Sequence, residues 1–229
     1  MKKLNLINII KEKNISNIKD LISLELTSES TLRRRLIELE EDGFLVLKYG
    51  GYIELTGNEN ISISDEFKTN INTGQKRRLG KMCAALISDG DVIFIDNGTT
   101  VRYILEYIGD KNVEVYTNGY NHIDVAKKKN INLNIIPGNI LYREASIVGE
   151  ESISYLADIN FDCSFIGANG FDESKGVTTP NKSEAILKRF VLKHSVKSYL
   201  VIDSRKYKLC SKYKICNFDE FPIITLPIT

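Results

Sequence analysis

The chain has 229 residues, is 42% hydrophobic and carries a formal net charge of +1. That is apolar content enough for a sizeable core in one or more domains, and too little net charge to hold nucleic acid or a membrane by a global field. No apolar run can span a bilayer, the Met-Lys-Lys start leads into a charged amphipathic pattern and not a signal peptide, and Cys83, Cys163, Cys210 and Cys216 form no CxxC pair, with His122 and His194 far apart. A cytoplasmic chain without membrane, metal or cofactor is therefore expected.

Taken in order, Leu4, Ile7 and Ile10 predict a first helix that ends near Lys13-Asn14. Ser16 is placed to cap a short second helix carrying Ile18, Leu21 and Ile22. Ser28 is placed to cap a third, with Leu32, Leu36 and Leu39 on one face at i, i+4, i+7. Gly43 stops it, and Phe44 to Leu47, Tyr49-Gly50-Gly51-Tyr52 and Ile53 to Leu55 predict a β-hairpin. Three short helices and a hairpin over residues 1–56 describe a winged helix-turn-helix. Such a fold places the start of its third helix in the major groove. Ser28, Ser30, Thr31, Arg33, Arg34 and Arg35 are the candidate DNA contacts, with Lys48 in the wing on the backbone. A solvated basic face has the same composition, and this region is balanced, with nine Lys/Arg against nine Asp/Glu through Thr56. Glu38, Glu40, Glu41 and Asp42 lie at the far end of the helix, so its cationic end stays separate.

Residues 57–74 are polar and rich in Asn, Ser and Thr, and are expected to form a linker ahead of a second domain at 75–229. A helix is expected over about 75–88, with Leu79, Cys83, Leu86 and Ile87 on its buried side and the Lys76-Arg77-Arg78 trio serving solubility. From Asp89 onward strands and helices alternate. Strands are predicted at 92–96, 113–117, 133–136, 161–166 and 199–202, the rhythm of a mostly parallel sheet with crossover helices, so the fold class is α/β. Each strand ends in small or polar residues: Asn97-Gly98, Thr117-Asn118-Gly119, Gly138-Asn139, Gly167-Ala168-Asn169-Gly170 and Asp203-Ser204. In an open α/β sheet those edges line the ligand crevice.

The sharpest of these endings is Asp96-Asn97-Gly98-Thr99-Thr100. It follows a doubly buried strand and leads into a helical pattern of Val101, Ile104, Leu105 and Ile108. Backbone N–H groups, a helix dipole and two hydroxyls would converge on one anion there. An ordinary turn in which Thr99 or Thr100 only caps the helix would read the same way. Downstream, Thr178-Thr179-Pro180 precedes a helix with Glu184 and Lys188 at i, i+4, either a surface ion pair or a pair that faces the crevice.

In order and spacing these segments resemble the DeoR family of bacterial transcriptional regulators over nearly the whole chain. The matching residues are Ser28-x-x-Thr31-Leu32-Arg33-Arg34-x-Leu36-x-x-Leu39-Glu40, Gly50-Gly51, Asp89-Gly90-Asp91 and Asp96-Asn97-Gly98-Thr99-Thr100. Thr117-Asn118, Gly167-Ala168-Asn169-Gly170, Gly176-Val177-Thr178-Thr179-Pro180, Glu184, Lys188 and Asp203-Ser204-Arg205-Lys206-Tyr207 follow. The resemblance implies a repressor of a sugar-catabolic operon that binds operator double-stranded DNA and is released by a phosphorylated sugar. It also implies a sensing domain similar in fold to ribose-5-phosphate isomerase and its CoA-transferase relatives. Arg35 stands where the family usually has Asp, and Asn169 where many relatives have a carboxylate. Relatives usually continue beyond the position of Ile228-Thr229, so a shortened sensing domain is expected.

Carried onto this chain, the expected ligand residues are Asp96, Asn97, Gly98, Thr99, Thr100, Thr117, Asn118, Gly138, Gly167, Ala168, Asn169, Gly170, Thr178, Glu184, Lys188 and Lys206. The alternative from another class is a sugar-phosphate isomerase with an appended interaction domain. It needs a base near a carbon acid, and Asn169 cannot serve, which leaves Glu184 and Asp96. The string Gly167 to Gly170 with Thr178 to Asn181 leans toward a ketose phosphate as effector. A homo-oligomer is expected.

Overall fold

Leucines repeating every three or four residues need a partner surface, and the first part of the chain supplies one from its own short elements. The computed structural model describes residues 6–7, 9–10, 13–24, 26–41, 45–55 and 73–227. It divides into two units, Met1–Ile61 and Ser62–Thr229. In the first unit Leu6, Ile7 and Ile10 are helical and buried. Helix α1 (Ile18–Ile22) is capped by Asn17, not by Ser16: the Asn17 side chain accepts from the Lys19 amide at 3.0 Å. Helix α2 (Glu29–Glu41) buries Leu32, Leu36 and Leu39, as its periodicity requires. Strands β1 (Leu45–Lys48) and β2 (Tyr52–Leu55) pair antiparallel, Leu45 opposite Leu55 and Lys48 opposite Tyr52. The turn between them holds Gly50 and Gly51 at φ 82° and 79°, angles that side-chain-bearing residues rarely adopt. The expected stop at Gly43, Leu4 of the first helix, and nearly all of the expected linker lie outside the described residues.

The second unit is built on a six-stranded, wholly parallel sheet. Its strands are β3 (Val92–Ile95), β4 (Glu114–Thr117), β5 (Asn132–Ile135), β8 (Phe161–Ile166), β11 (Ser195–Val201) and β13 (Ile223–Ile224), in the spatial order β13-β11-β8-β3-β4-β5. The period-two alternation of β3 sends Ile93 and Ile95 into one core and Phe94 into another on the opposite face. Helices α3 (Thr73–Ala84) and α4 (Ile104–Tyr107) cover the first face, and α6 (Glu150–Ala157) and α7 (Lys182–His194) the second. Helix α5 (Ile123–Lys129) joins β4 to β5. From β3 the chain proceeds outward through β4 and β5, then returns to the other side of β3 for β8, β11 and β13. The C-terminal ends of β3 and β8 therefore flank a topological switch point, where α/β sheets open a crevice.

Two antiparallel additions complete the unit. Strands β6 (Asn139–Leu141) and β7 (Ser146–Val148) form a hairpin, and β9 (Gly170–Asp172), β10 (Gly176–Thr179) and β12 (Tyr213–Cys216) form a three-stranded sheet. Two helices differ from the reading above. Helix α3 ends at Ala84, so Leu86 is 44% exposed and only Ile87 turns inward. In place of a regular helix from Thr99, a 3-10 turn at Val101–Tyr103 leads into the four residues of α4, although Val101, Ile104, Leu105 and Ile108 are all buried. Helix α3 lies against that turn: a Cβ on Gly80 would sit 2.6 Å from the Tyr103 Cβ.

Candidate functional site

The crevice is assembled from the ends of β3 and β8, the start of α7, the segment after β11 and the β6–β7 hairpin. Asp96, the first residue past β3, is fully buried. Its Oδ2 accepts from the Gly167 amide and from Lys188 Nζ, each at 2.9 Å, and Lys188 also donates to the Gly167 carbonyl at 3.1 Å. Its Oδ1 has no partner among the described residues. Asn181 caps α7 by accepting from the Ser183 and Glu184 amides, which orients the helix so that Glu184 and Lys188 point inward. Both are buried, and Glu184 Oε2 accepts from the Thr179 hydroxyl at 3.1 Å. Burial alone would lower the Lys188 pKa, but the carboxylates of Asp96 and Glu184 outweigh it and hold the ammonium above its usual value. Glu184 and Lys188 thus face the crevice, with Lys188 bridged to Asp96, and form no solvated surface bridge.

Beyond Asp96 the chain turns at Asn97 to Thr100. The backbone N–H groups of Gly98, Thr99 and Thr100 have no acceptor among the described residues, and Thr100 makes no side-chain cap. A 3-10 turn and four α residues carry little macrodipole, so formal charge must come from side chains. Lys188 and Lys206 line the same cleft, with Lys206 Nζ donating to the Ala168 carbonyl. Lys76 stands behind the turn, 5% exposed, and donates to Thr99 Oγ1 at 2.8 Å. The wall is braced by His122, which is fully buried with Nε2 2.9 Å from the Asp96 carbonyl. Burial pushes its pKa down to about 4. The hairpin closes one side: the Asn97 side-chain amide donates to the Glu144 carbonyl at 2.8 Å.

The cleft encloses about 460 Å³, open solvent at its mouth included. Eleven of the expected ligand residues line it: Asp96, Asn97, Gly98, Thr99, Thr100, Gly167, Ala168, Asn169, Glu184, Lys188 and Lys206. Five are placed elsewhere. Thr117 and Asn118 are fully buried, with the Thr117 hydroxyl accepting from the Gly119 amide and the Asn118 amide donating to the Ser146 hydroxyl. Gly138 lies beneath α6, where a Cβ would come within 2.5 Å of Ser152 Oγ. Gly170 packs on the Leu209 carbonyl, and the Thr178 hydroxyl accepts from the Ser211 amide. These five shape the wall instead of lining it.

Glu144, Val201 and Lys76 belong to the site or its backing and were not singled out from the sequence. Glu144 sits in a hairpin too short to show alternation, and Lys76 lies inside a basic trio that reads as solvated. The solubility reading of Lys76 is corrected by its burial. No group of three or more metal-ligating side chains occurs among the described residues.

In the first unit, Arg33 and Arg34 are exposed on α2. Arg33 Nε is 2.7 Å from Glu29 Oε1, and Arg34 Nε is 3.8 Å from Glu38 Oε1. Arg35 is half-buried, its Nε without an acceptor among the described residues. Ser28 and Ser30 are exposed at the start of the helix, where the Ser28 hydroxyl donates to Thr31 Oγ1 at 2.9 Å. Lys48 pairs with Glu54 across the hairpin. Each of these exposed pairs contributes little to stability, about 0–1 kcal/mol, so the arginines can exchange partners cheaply.

Residues 71–226 match the family described as the DeoR C terminal sensor domain. The uncharacterized HTH-type transcriptional regulator FruR of Bacillus subtilis (strain 168) is 33% identical over 223 residues, covering 96% of this chain and 88% of that protein. The lactose phosphotransferase system repressor of Staphylococcus epidermidis is 31% identical over 182 residues, covering 78% and 72%. Among solved structures, ribose 5-phosphate isomerase A of Methanocaldococcus jannaschii is 17% identical at a TM-score of 0.44, covering 59% of this chain and 55% of that one.

Proposed function

The chain belongs to the DeoR family of transcriptional regulators, and from that premise we propose that it is a repressor of a sugar-catabolic operon, released from DNA by a phosphorylated sugar. Residues 1–56 act as the winged helix-turn-helix, 57–74 as the linker and 75–229 as the effector domain. One observation carries the effector reading. The unpaired N–H groups of Gly98, Thr99 and Thr100 border the same cleft as Lys188 and Lys206, a donor set suited to a phosphate dianion. Among the other lining residues, Asn169, Glu144 and Glu184 carry acceptors for sugar hydroxyls. A ketose phosphate is the favoured member of that class, and a homo-oligomer the DNA-binding form.

The isomerase reading is disfavoured by the site's own chemistry. Asn169 carries an amide where a base would stand, Asp96 is tied to Gly167 and Lys188, and His122 is shut inside the wall. The sequence relatives support regulation and not catalysis, and no helix among the described residues is long and apolar enough to cross a membrane. The deciding experiment is a thermal-shift screen with fructose 1-phosphate, fructose 6-phosphate, glucose 6-phosphate and inorganic phosphate, followed by operator release. A ligand at 100 times its Kd stabilises by about 2.7 kcal/mol, a shift of several degrees. If no phosphosugar shifts the melting temperature or frees the operator, the reading is wrong.

A further inference from the structure

We propose that Lys76 is a positioning residue of the effector cleft that acts through Thr99; the inference rests on the phosphosugar reading above. Three observations carry it. Lys76 is a long cationic side chain that a helix surface would ordinarily leave in water, yet it is 5% exposed. Its ammonium donates to Thr99 Oγ1 at 2.8 Å, in the middle of the turn whose N–H groups are unpaired. Its helix also packs on the 3-10 turn that follows, both times through Tyr103. Gly80, one turn on, leaves no Cβ where Tyr103 packs, and the Arg77 guanidinium lies 5.6 Å from the centre of the Tyr103 ring.

The chemistry follows from hydroxyl geometry. A threonine hydroxyl has one proton to give and lone pairs to accept with. With Lys76 donating to Oγ1, the lone pairs on that side are engaged and the hydroxyl proton is directed away from the ammonium, toward the cleft that Thr99 lines. Lys76 thus makes Thr99 a donor to the ligand and adds positive charge behind the turn without touching the ligand itself. Filling the cleft then fixes the turn, Lys76 and Gly80 together.

The test is a double-mutant cycle on the full chain, read by calorimetric titration with fructose 1-phosphate and fructose 6-phosphate. Lys76→Met should weaken binding of whichever probe binds by roughly 10-fold or more, the range for a charge-assisted hydrogen bond. In a Thr99→Ala background the same substitution should cost less than about threefold. The ligand-free melting temperature separates this from damage to the fold, and Lys76→Gln, which still donates to Thr99 without the charge, should bind between wild type and Lys76→Met. Amide exchange on the unsubstituted chain gives an independent reading: the bound probe should slow exchange in residues 77–81. If a probe binds and Lys76→Met binds equally well, or the two costs multiply in the double variant, or exchange in α3 is unmoved, Lys76 has no such role while the phosphosugar reading stands. If neither probe nor any other phosphosugar binds the wild type, both fall together.

Discussion

At the scale of single residues, the Asp96–Lys188 pair and His122 carry the sharpest consequences. Lys188→Met leaves the Asp96 carboxylate buried without its ammonium, a loss on the order of 3–5 kcal/mol. Adding Asp96→Asn removes the orphaned charge and should recover most of it, as chemical denaturation of the two variants can read. Neither variant should respond to a phosphosugar. His122 sets a pH dependence. Its folded pKa is pushed by burial from 6.5 to about 4, so between those values the unfolded chain takes up a proton that the folded chain refuses. Stability should be intact above pH 6.5, fall as pH drops through that window and level off below it. His122→Gln should flatten that slope in melts at pH 7.5 and 5, and an unchanged slope would remove His122 as its cause. Neither backbone conformation nor packing requires a glycine at position 98. Its φ lies outside the left-handed region, and a Cβ there meets ordinary contacts, with Val101 Cγ2 at 3.5 Å. The turn at Asp96 was legible because residue types that satisfy or expose backbone groups leave a mark in the sequence. Lys76 was not, since nothing local distinguishes a lysine that is about to be buried from one that is solvated.

Elements differ in how much of themselves the sequence displays. Strand β8 and the body of α2 could be read from periodicity because each spans enough residues for the alternation or the 3.6 repeat to register. Hairpin β6–β7 and the sheet β9-β10-β12 are made of three- and four-residue strands, where no period can be counted, and their pairing is decided by the core they cover. The same limit hides the 3-10 turn at Val101–Tyr103, whose apolar spacing matches that of a regular helix. Helix α2 has its own prediction. Arg34 is exposed on the face away from Leu32, Leu36 and Leu39, and its pairing with Glu38 is long enough to yield to a phosphate. Arg34→Ala should weaken operator binding far more than Lys81→Ala, which changes a lysine in the second unit. A lost phosphate contact lowers the salt slope by about one unit; a lost bidentate base contact costs about 1–3 kcal/mol and relaxes specificity. Footprints titrated with salt distinguish the two, and equal binding by both variants would exclude this docking. Melting of the Arg34 variant should stay near wild type, since an exposed i, i+4 pair adds only a few tenths of a kcal/mol.

For the whole molecule, two units with separate cores divide the work, and that division makes a demand on assembly. Among the described residues, the first unit has one buried cluster of its own, built on Leu21, Leu32, Leu36 and Leu39, and the second has two, one on each face of the parallel sheet. A single helix of the size of α2 can reach only a few base edges, and the first unit carries no net charge through Thr56 to add a strong non-specific hold. Specific affinity at physiological salt is therefore expected to need more than one copy. Two copies related by a two-fold axis double the phosphate and base contacts and impose a half-site spacing of about one helical turn, or a multiple of it. The second unit, much the larger, offers most of the surface from which such an assembly can be built, with Val196 81% and Tyr142 82% exposed among its apolar and aromatic side chains. The chain should run as a dimer or larger by multi-angle light scattering at micromolar concentration, and its footprint should cover paired half-sites. Effector binding should then change operator affinity more steeply than one-site binding allows, because both copies must let go. A chain that scatters as a monomer at that concentration and still holds its operator at nanomolar Kd would show that a single winged helix suffices here.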